Sequence, residues 1–172
     1  MKTYICEICG DAYIGEERPS ECPFCGARHN FIKNGVEANP ITVQPVELSN
    51  RSKKNLETTI GLEMKANATY LCMAGKAQTY EIKAMYKRLA KVELEHANIA
   101  CKLMKSAMPP AGTETCSDAD VENFAETVKL EEVATNLYVQ FAKESEERNV
   151  KIFFTALAQV EADHIQLIKK IN

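Results

Sequence analysis

Long hydrophobic runs are absent from this 172-residue chain, and so is an excess of positive charge. Every apolar stretch is broken by charged residues within a few positions, unlike a membrane span of about 20 apolar residues. Residues 1–14 lack the basic start and the apolar middle of a signal peptide, so we expect a cytoplasmic protein with no membrane partner. The net charge of −3 and the lack of a clustered Lys/Arg surface argue against a nucleic-acid partner.

Cysteine and histidine are few and unevenly distributed. Four of the seven cysteines lie within the first 25 residues, and an odd total with such clustering is typical of a metal site, not of a disulfide framework. Of the three histidines, His29 lies near these cysteines and is expected at the surface. We interpret the cysteines outside the cluster as small core or loop residues without partners; they are Cys72, Cys101 and Cys116.

Composition divides the chain into three predicted parts. Residues 1–34 are rich in Gly, Pro and Cys without a helical period, which indicates turns and short strands around a metal. Residues 35–51 have the composition of a linker. Residues 52–172 have helical apolar spacing and are predicted to form a bundle with helices at 53–77, 80–107, 118–147 and 150–171. The predicted caps of the first three helices are Ser52, Thr79 and the pair Ser117 and Asp120.

The helical part contains an internal duplication. A shift of 68 residues aligns residues 62–96 with residues 130–164 at many positions. A repeat of this length that occurs only twice predicts two helical hairpins related by a pseudo-twofold axis. The polar pairs retained in the alignment are Glu63 with Glu131, Tyr70 with Tyr138, Glu93 with Glu161, and His96 with His164.

The duplicated polar residues fall on the inward faces of the predicted helices. Glu93 and His96 are three residues apart, so they share one helix face with apolar neighbours, and their duplicates do the same. Four carboxylates and two imidazoles would point into the bundle, where two divalent metal ions would neutralise the carboxylates. Solvated glutamates at the edge of an apolar stripe are the simpler alternative, but they do not explain why the duplication retains all four pairs.

One Glu from each of two helices and Glu-x-x-His from each of the other two is the pattern of ferritin-like di-iron carboxylate proteins. Because histidine and carboxylate suit iron or manganese, the spacing alone leaves the metal open. For Tyr70 and Tyr138 we predict a hydrogen bond to a ligand carboxylate, with core filling as the alternative. The predicted ligands are Glu63, Glu93, His96, Glu131, Glu161 and His164.

Two short Cys-x-x-Cys-Gly loops offer four thiolates to one tetrahedral metal ion. Glycine after the second cysteine of each loop permits the positive φ that turns backbone N–H groups toward sulfur. The loops alone fit either iron or a structural zinc ribbon. The predicted ligands are Cys6, Cys9, Cys22 and Cys25. The predicted apolar shell of this small module consists of Tyr4, Tyr13, Phe24 and Phe31.

With these motifs, nearly the whole chain resembles the rubrerythrin family. The order CxxCG, eleven residues, CPxCG resembles a shortened rubredoxin module, and GLEMKANATY and VELEHA resemble the di-iron bundle. The module precedes the bundle here, as in reverse rubrerythrins, whereas it follows the bundle in most rubrerythrins. The resemblance implies one mononuclear iron held by the four cysteines and one dinuclear iron centre in the bundle.

The resemblance also implies a peroxidase that reduces hydrogen peroxide to water, with dioxygen as a second candidate substrate. Electrons would pass from an external donor through the rubredoxin-type iron to the di-iron site. No nicotinamide or flavin fingerprint is visible, so the donor would be a rubredoxin or a flavoprotein reductase that uses NAD(P)H. The alternative function is a ferroxidase or iron-binding protein with a structural zinc ribbon.

The resemblance assigns roles to the bundle ligands as well. Glu93 and Glu161 would bridge the two irons, and each iron would take one histidine. Glu63 and Glu131 would be terminal ligands.

The connector between the second and third predicted helices is short. In a ferritin-like bundle these two helices run parallel, so the connector between them must return along the length of the bundle. Residues 108–117 can span only about 36–40 Å even when fully extended, which leaves no slack. We expect either shorter helix ends or hairpins exchanged between two chains. We predict a homodimer.

One departure from the typical rubrerythrin pattern concerns the metal ligands. Such proteins carry another Glu one turn beyond the third-helix ligand, but Ala134 stands here, and Ala66 occupies the equivalent position in the first helix. Glu132 should face away from the site because it is rotated by about 100°. We therefore predict a six-ligand site in which His96 stays bound in both oxidation states.

Overall fold

The computed structural model describes residues 1–171. The chain is mainly helical, with a four-helix bundle behind a small strand region, which confirms the predicted fold class. None of the helices in the described residues is long and apolar enough to cross a membrane. The strands are β1 (Lys2–Cys6), β2 (Ala12–Gly15) and β3 (Ile32–Asn34). The helices are α1 (Asn50–Lys76), α2 (Tyr80–Met104), α3 (Asp120–Glu144) and α4 (Arg148–Ile171).

The strand region is organised around the two cysteine loops. β1 is the central strand of an antiparallel sheet of order β2-β1-β3, and the first loop joins β1 to β2. In this loop the Gly10 amide donates to the Cys6 carbonyl, and in the second loop the Gly26 amide donates to the Cys22 carbonyl. Both glycines have positive φ, +87° and +73°, which a side chain would strain. Two similar turns thus bring the four sulfur atoms together.

The strand region shares its core with the bundle. Tyr4 and Ile8 belong to the same buried apolar cluster as Ile99 of α2 and Leu157 of α4. One aromatic residue departs from its predicted place in the apolar shell, because Phe24 lies at the surface with 38% of its area exposed.

The segment between the strand region and the bundle is also packed. Ile41 is buried, its amide donates to the Glu7 carbonyl, and its own carbonyl accepts from the Asn149 side chain. The strands end at residue 34 and α1 begins at residue 50. The division into parts at 1–34, 35–51 and 52–172 stays a prediction.

The helices pair as two antiparallel hairpins, α1 with α2 and α3 with α4. The Gln78 amide donates to the Asp120 carboxylate, so the start of α3 lies beside the α1–α2 turn. The Ser49 amide donates to the Glu147 carboxylate, so the start of α1 lies beside the α3–α4 turn. α2 and α3 therefore run parallel, and the connector between them climbs back along the bundle.

Helix caps agree with the sequence only in part. Thr79 caps α2 as predicted. Ser52 does not cap α1, because the helix begins earlier and Ser49 accepts the hydrogen bond from its first turn. The capping box predicted at Ser117 is also wrong, since α3 begins after Ala119, whose side chain makes no cap. In both cases the local sequence offered a plausible cap at the wrong position.

The connector is longer than predicted, because α2 ends at Met104 and α3 begins at Asp120. Lys105, with φ of 54°, ends α2 in the left-handed region, before the predicted helix end at residue 107. Of the two outcomes expected for a taut connector, this structure has the shorter helix ends. Exchange of hairpins is not needed to close the bundle, and the homodimer stays a prediction.

The expectation that the remaining cysteines have no partners is wrong for one pair. Cys72 on α1 and Cys116 in the connector form a disulfide across a sequence separation of 44 residues. It ties the returning connector to α1, beside the hydrogen bond from Lys76 to the Cys116 carbonyl. Sequence spacing gave no sign of this bond because the path of the connector creates it. Cys101 is a free, buried cysteine.

We expect loss of this disulfide to lower the free energy of unfolding by about 4 kcal/mol, the chain-entropy value for a loop of this length. In a chain of this size the melting temperature would fall by about 10 °C. Cys72→Ser, Cys116→Ser and the double variant should melt together in circular dichroism, and a reductant should bring the wild type to the same temperature. Additive losses in the two single variants would contradict the bond.

Candidate metal centres

The four-cysteine site lies where the two loops of the strand region meet. Its four sulfur atoms lie within 4.8 Å of one another, and all four side chains are buried. The sulfurs of Cys6 and Cys25 are 3.7 Å apart, as are those of Cys9 and Cys22. Four thiolates about 2.3 Å from a central tetrahedral ion would be about 3.8 Å apart, so the spacing fits one metal ion.

Thiols this close compete for protons. Hydrogen bonding with Cys22 raises the pKa of the Cys9 and Cys25 thiols well above the ordinary value. Hydrogen bonding with Cys25 in turn lowers the pKa of the Cys22 thiol. A metal ion removes this conflict because it binds all four as thiolates. The donor set therefore fits a mononuclear iron of the rubredoxin type.

The six predicted bundle ligands meet at the centre of the bundle, where all six are buried. They form two overlapping groups of four, and within each group the ligand atoms lie within 4.8 Å of one another. Glu93 and Glu161 belong to both groups, which is the arrangement of two carboxylates that bridge a pair of ions. The first group is Glu63, Glu93, His96 and Glu161, and the second is Glu93, Glu131, Glu161 and His164.

Several buried polar atoms of the cluster have no hydrogen-bond partner, which bears on whether the cluster fits metal ions. The Nδ1 atom of His96 lies 3.0 Å from Glu93, and that of His164 lies 3.0 Å from Glu161, without hydrogen-bond geometry. In residues 1–171, both Nδ1 atoms and all four oxygens of these two glutamates are buried and unpartnered. Six such atoms around one centre would be costly without cations, so the site fits a di-iron centre.

The electrostatics of the cluster also favour bound cations. Burial and the charge of Glu161 raise the pKa of Glu93 well above its ordinary value, and burial raises the pKa of Glu131 to about 7. Burial would lower the pKa of the two histidines, but the surrounding carboxylates raise it well above the ordinary value. Without metal the cluster retains protons, and metal binding would release them.

Each of the duplicated tyrosines reaches across to the other hairpin. Tyr70 on α1 donates to Glu131 on α3 at 2.6 Å, and Tyr138 on α3 donates to Glu63 on α1. Burial raises the pKa of both phenols well above the ordinary value, so both remain hydrogen-bond donors. They orient the two carboxylates that belong to only one of the two ligand groups.

His96 connects the bundle cluster to the four-cysteine site. Its Nδ1 atom faces the carboxylates, while its Nε2 atom lies 2.9 Å from the carbonyl oxygen of Cys25. A carbonyl oxygen can only accept, so Nε2 carries the proton and Nδ1 presents its lone pair to the cluster. A predicted ligand of the bundle centre is therefore hydrogen-bonded directly to the backbone of a predicted ligand of the four-cysteine site.

Close packing holds this contact in place. A Cβ atom at Gly26 would lie 2.8 Å from Cγ1 of Val160 on α4, so glycine is required for the approach. Beside it, Arg28 donates two hydrogen bonds, of 2.8 and 2.7 Å, to the carboxylate of Asp163. The strand region thus lies against α2 and α4, the two helices that carry the histidines.

The other side of the cluster opens between α1 and α3. A cavity of about 100 Å³ is lined there by the four glutamates, both tyrosines, Lys65 and several small or apolar residues. Ala66 and Ala134 line it, so in the described residues no further carboxylate reaches the cavity. Glu132 is exposed. The cavity is well below the roughly 300 Å³ of ordinary small-molecule sites, and it suits a molecule of a few atoms.

Sequence reasoning missed the contacts that join the two centres. The Cys25–His96 contact joins residues 71 apart, and the Arg28–Asp163 pair joins residues 135 apart. Gly26 was the one local sequence signal of this close approach, but it was explained only by the positive φ that the cysteine loop requires. Its approach to α4 is a second reason for glycine. His29 is exposed, as expected.

Part of the chain is similar to known proteins. Residues 54–121 match the Rubrerythrin family model. Reverse rubrerythrin-1 of Clostridium acetobutylicum is 30% identical over 115 residues, which cover 60% of this chain but only 62% of that protein. Manganese catalase KatB from Anabaena has a similar fold, with a TM-score of 0.63 and coverage of 77% of this chain and 76% of its own. At 18% identity that likeness concerns the fold alone.

Two adjacent glutamates on α3 provide a matched test of the bundle site. Glu131→Ala removes a predicted ligand and the partner of Tyr70, so we expect the bundle to lose bound iron while the four-cysteine iron remains. Glu132→Ala removes an exposed carboxylate one position along and should retain the full metal content. In each variant, metal analysis measures the total iron, and the visible spectrum measures the four-cysteine iron. Equal iron content in the two variants would rule out Glu131 as a ligand.

Proposed function

We propose that this chain is an oxidoreductase that reduces hydrogen peroxide to water, because residues 54–121 match the Rubrerythrin family model and the bundle cluster fits a di-iron centre. The observation that carries the proposal is the position of the cluster between a small cavity and the four-cysteine site. Conversion of one peroxide to two waters consumes two electrons and two protons. A bound di-iron centre would supply both electrons together.

The cavity between α1 and α3 limits the size of the substrate. Its volume of about 100 Å³ is a few times the roughly 30 Å³ that one water occupies in the liquid. Hydrogen peroxide and dioxygen fit, whereas a complete nicotinamide or flavin cofactor does not. Substrate would therefore reach the cluster from this side, and the electrons would come from another protein on the other side.

The tyrosines beside the cavity act on the carboxylates. Tyr70 and Tyr138 hold Glu131 and Glu63 by hydrogen bonds that cross between the hairpins. Because the phenol pKa values are raised, these side chains orient the carboxylates and do not give up their protons. The oxygens they hold therefore stay in place at the wall of the cavity.

The electron side is formed by the Cys25–His96 contact. The Cys25 carbonyl fixes Nε2 of His96, which supports the prediction that this histidine stays a ligand in both oxidation states. Neither Ala66 nor Ala134 provides a carboxylate that could replace it. The donor would be a rubredoxin or a flavoprotein reductase that uses NAD(P)H, and the chain would act as a homodimer.

The proposal is tested by anaerobic turnover with NADH, a flavoprotein reductase and a rubredoxin. The wild type should oxidise NADH only when peroxide is added. Cys9→Ser should lose this turnover, because it breaks the four-cysteine site, yet its chemically reduced bundle should still be oxidised once by peroxide. Cys101→Ser, which changes a buried cysteine outside both centres, should retain turnover.

Two results would contradict the proposal. Normal turnover in Cys9→Ser would show that electrons do not pass through the four-cysteine site. A wild-type protein with zinc at this site, which oxidises ferrous iron but consumes no NADH with peroxide, would favour the ferroxidase alternative.

A further inference from the structure

A basic surface covers the outward face of α2. Its four cationic side chains are exposed and, together with Tyr80, line one shallow groove of about 240 Å³. In residues 1–171 none of the four lies within 4.0 Å of a carboxylate. This concentration of unpaired positive charge contrasts with the net charge of −3 for the whole chain. The basic surface consists of Lys83, Lys87, Arg88 and Lys91.

The basic surface adjoins the loop that carries two of the four cysteines. Arg88 donates a hydrogen bond of 3.3 Å to the carbonyl oxygen of Phe24, which lies between Cys22 and Cys25 in the sequence. The Phe24 ring, 38% exposed, is available at the surface instead of filling the core of the strand region. Protein interfaces commonly combine an apolar contact with polar side chains at its rim.

The same helix also reaches the bundle cluster. Arg88 and His96 are eight residues apart, so about 12 Å of α2 separates the basic surface from the histidine that contacts Cys25. A protein bound over the basic surface and Phe24 would lie next to the Cys22–Cys25 loop. Its redox group would then face the four-cysteine site and stay away from the substrate cavity, which opens on the α1–α3 side.

We propose that the basic surface and Phe24 form the docking site for a small acidic electron-carrier protein. The inference rests on the proposed function, because it identifies the chemistry of the donor. Charge complementarity selects the occupant: exposed carboxylates on the carrier would pair with cations that have no carboxylate partner in residues 1–171. Opposite charges also steer association, so the rate should fall as salt screens them.

The test reverses three charges of the basic surface at once. Lys83→Glu/Lys87→Glu/Lys91→Glu should weaken binding of an acidic rubredoxin, measured by calorimetry with the iron-loaded protein at low salt, by about tenfold or more. The matched control, Lys53→Glu/Lys54→Glu/Lys129→Glu, changes the net charge equally on exposed positions of α1 and α3. It should bind within about twofold of the wild type.

A kinetic measurement separates docking from chemistry. Reduced rubredoxin should reduce the four-cysteine iron more slowly in the triple variant, while reduced methyl viologen, a small cation, should not be slowed. Neither measurement involves peroxide, so failure of peroxide turnover with intact docking would overturn the proposed function alone. Equal rubredoxin binding by the triple variant and its control would overturn the docking site. Sedimentation provides a further check. If only the triple variant changed its oligomeric state, the basic surface would be a contact between two copies of the chain, and the docking site would be overturned too.

Discussion

Four carboxylates buried at the centre of one bundle need positive charge among them, and the arrangement of the two hairpins follows from this need. Each hairpin contributes one of the carboxylates that belong to both ligand groups. Each also sends a tyrosine across to a glutamate of the other hairpin. The buried apolar residues form two clusters. The buried ligand residues lie where the two hairpins meet, next to the cavity between α1 and α3. Metal ions would thus stabilise the fold as well as carry chemistry.

The two sides of the bundle are covered differently, and this difference breaks its pseudo-twofold symmetry. On the side of α2 and α4, the strand region closes over the cluster, and the Cys25 carbonyl contacts His96. On the side of α1 and α3, no strand in the described part of the chain covers the cluster, and a small cavity lies there between the two helices. Under the proposed function, a small oxidant and a large electron carrier would approach opposite faces, so neither would need to leave before the other arrives. The order of the chain suits this arrangement, because a packed segment around Ile41 runs between the strand region and the start of α1.

The sequence predicted the features that depend on local spacing. The cysteine loops and the Glu-x-x-His pairs could be identified because loop length and helix period alone bring their ligands together, and the duplication showed which glutamates point inward. Features created by the path of the chain were missed. The Cys72–Cys116 disulfide depends on the returning connector, and α1 begins at the point where the Ser49 amide contacts Glu147 in the α3–α4 turn. The exposure of Phe24 was missed as well.

The coupling of the two centres through the Cys25–His96 contact is tested most directly by electron transfer in two glycine variants. Gly26→Ala and Gly10→Ala add the same methyl at positive φ in matching loops, but only the first would meet Val160 of the bundle. The fully reduced proteins are mixed with peroxide, and reoxidation of the four-cysteine iron is followed by its colour. We predict that Gly26→Ala slows this step several-fold at unchanged iron content, and that Gly10→Ala does not. Equal rates in the two variants would contradict coupling through this contact.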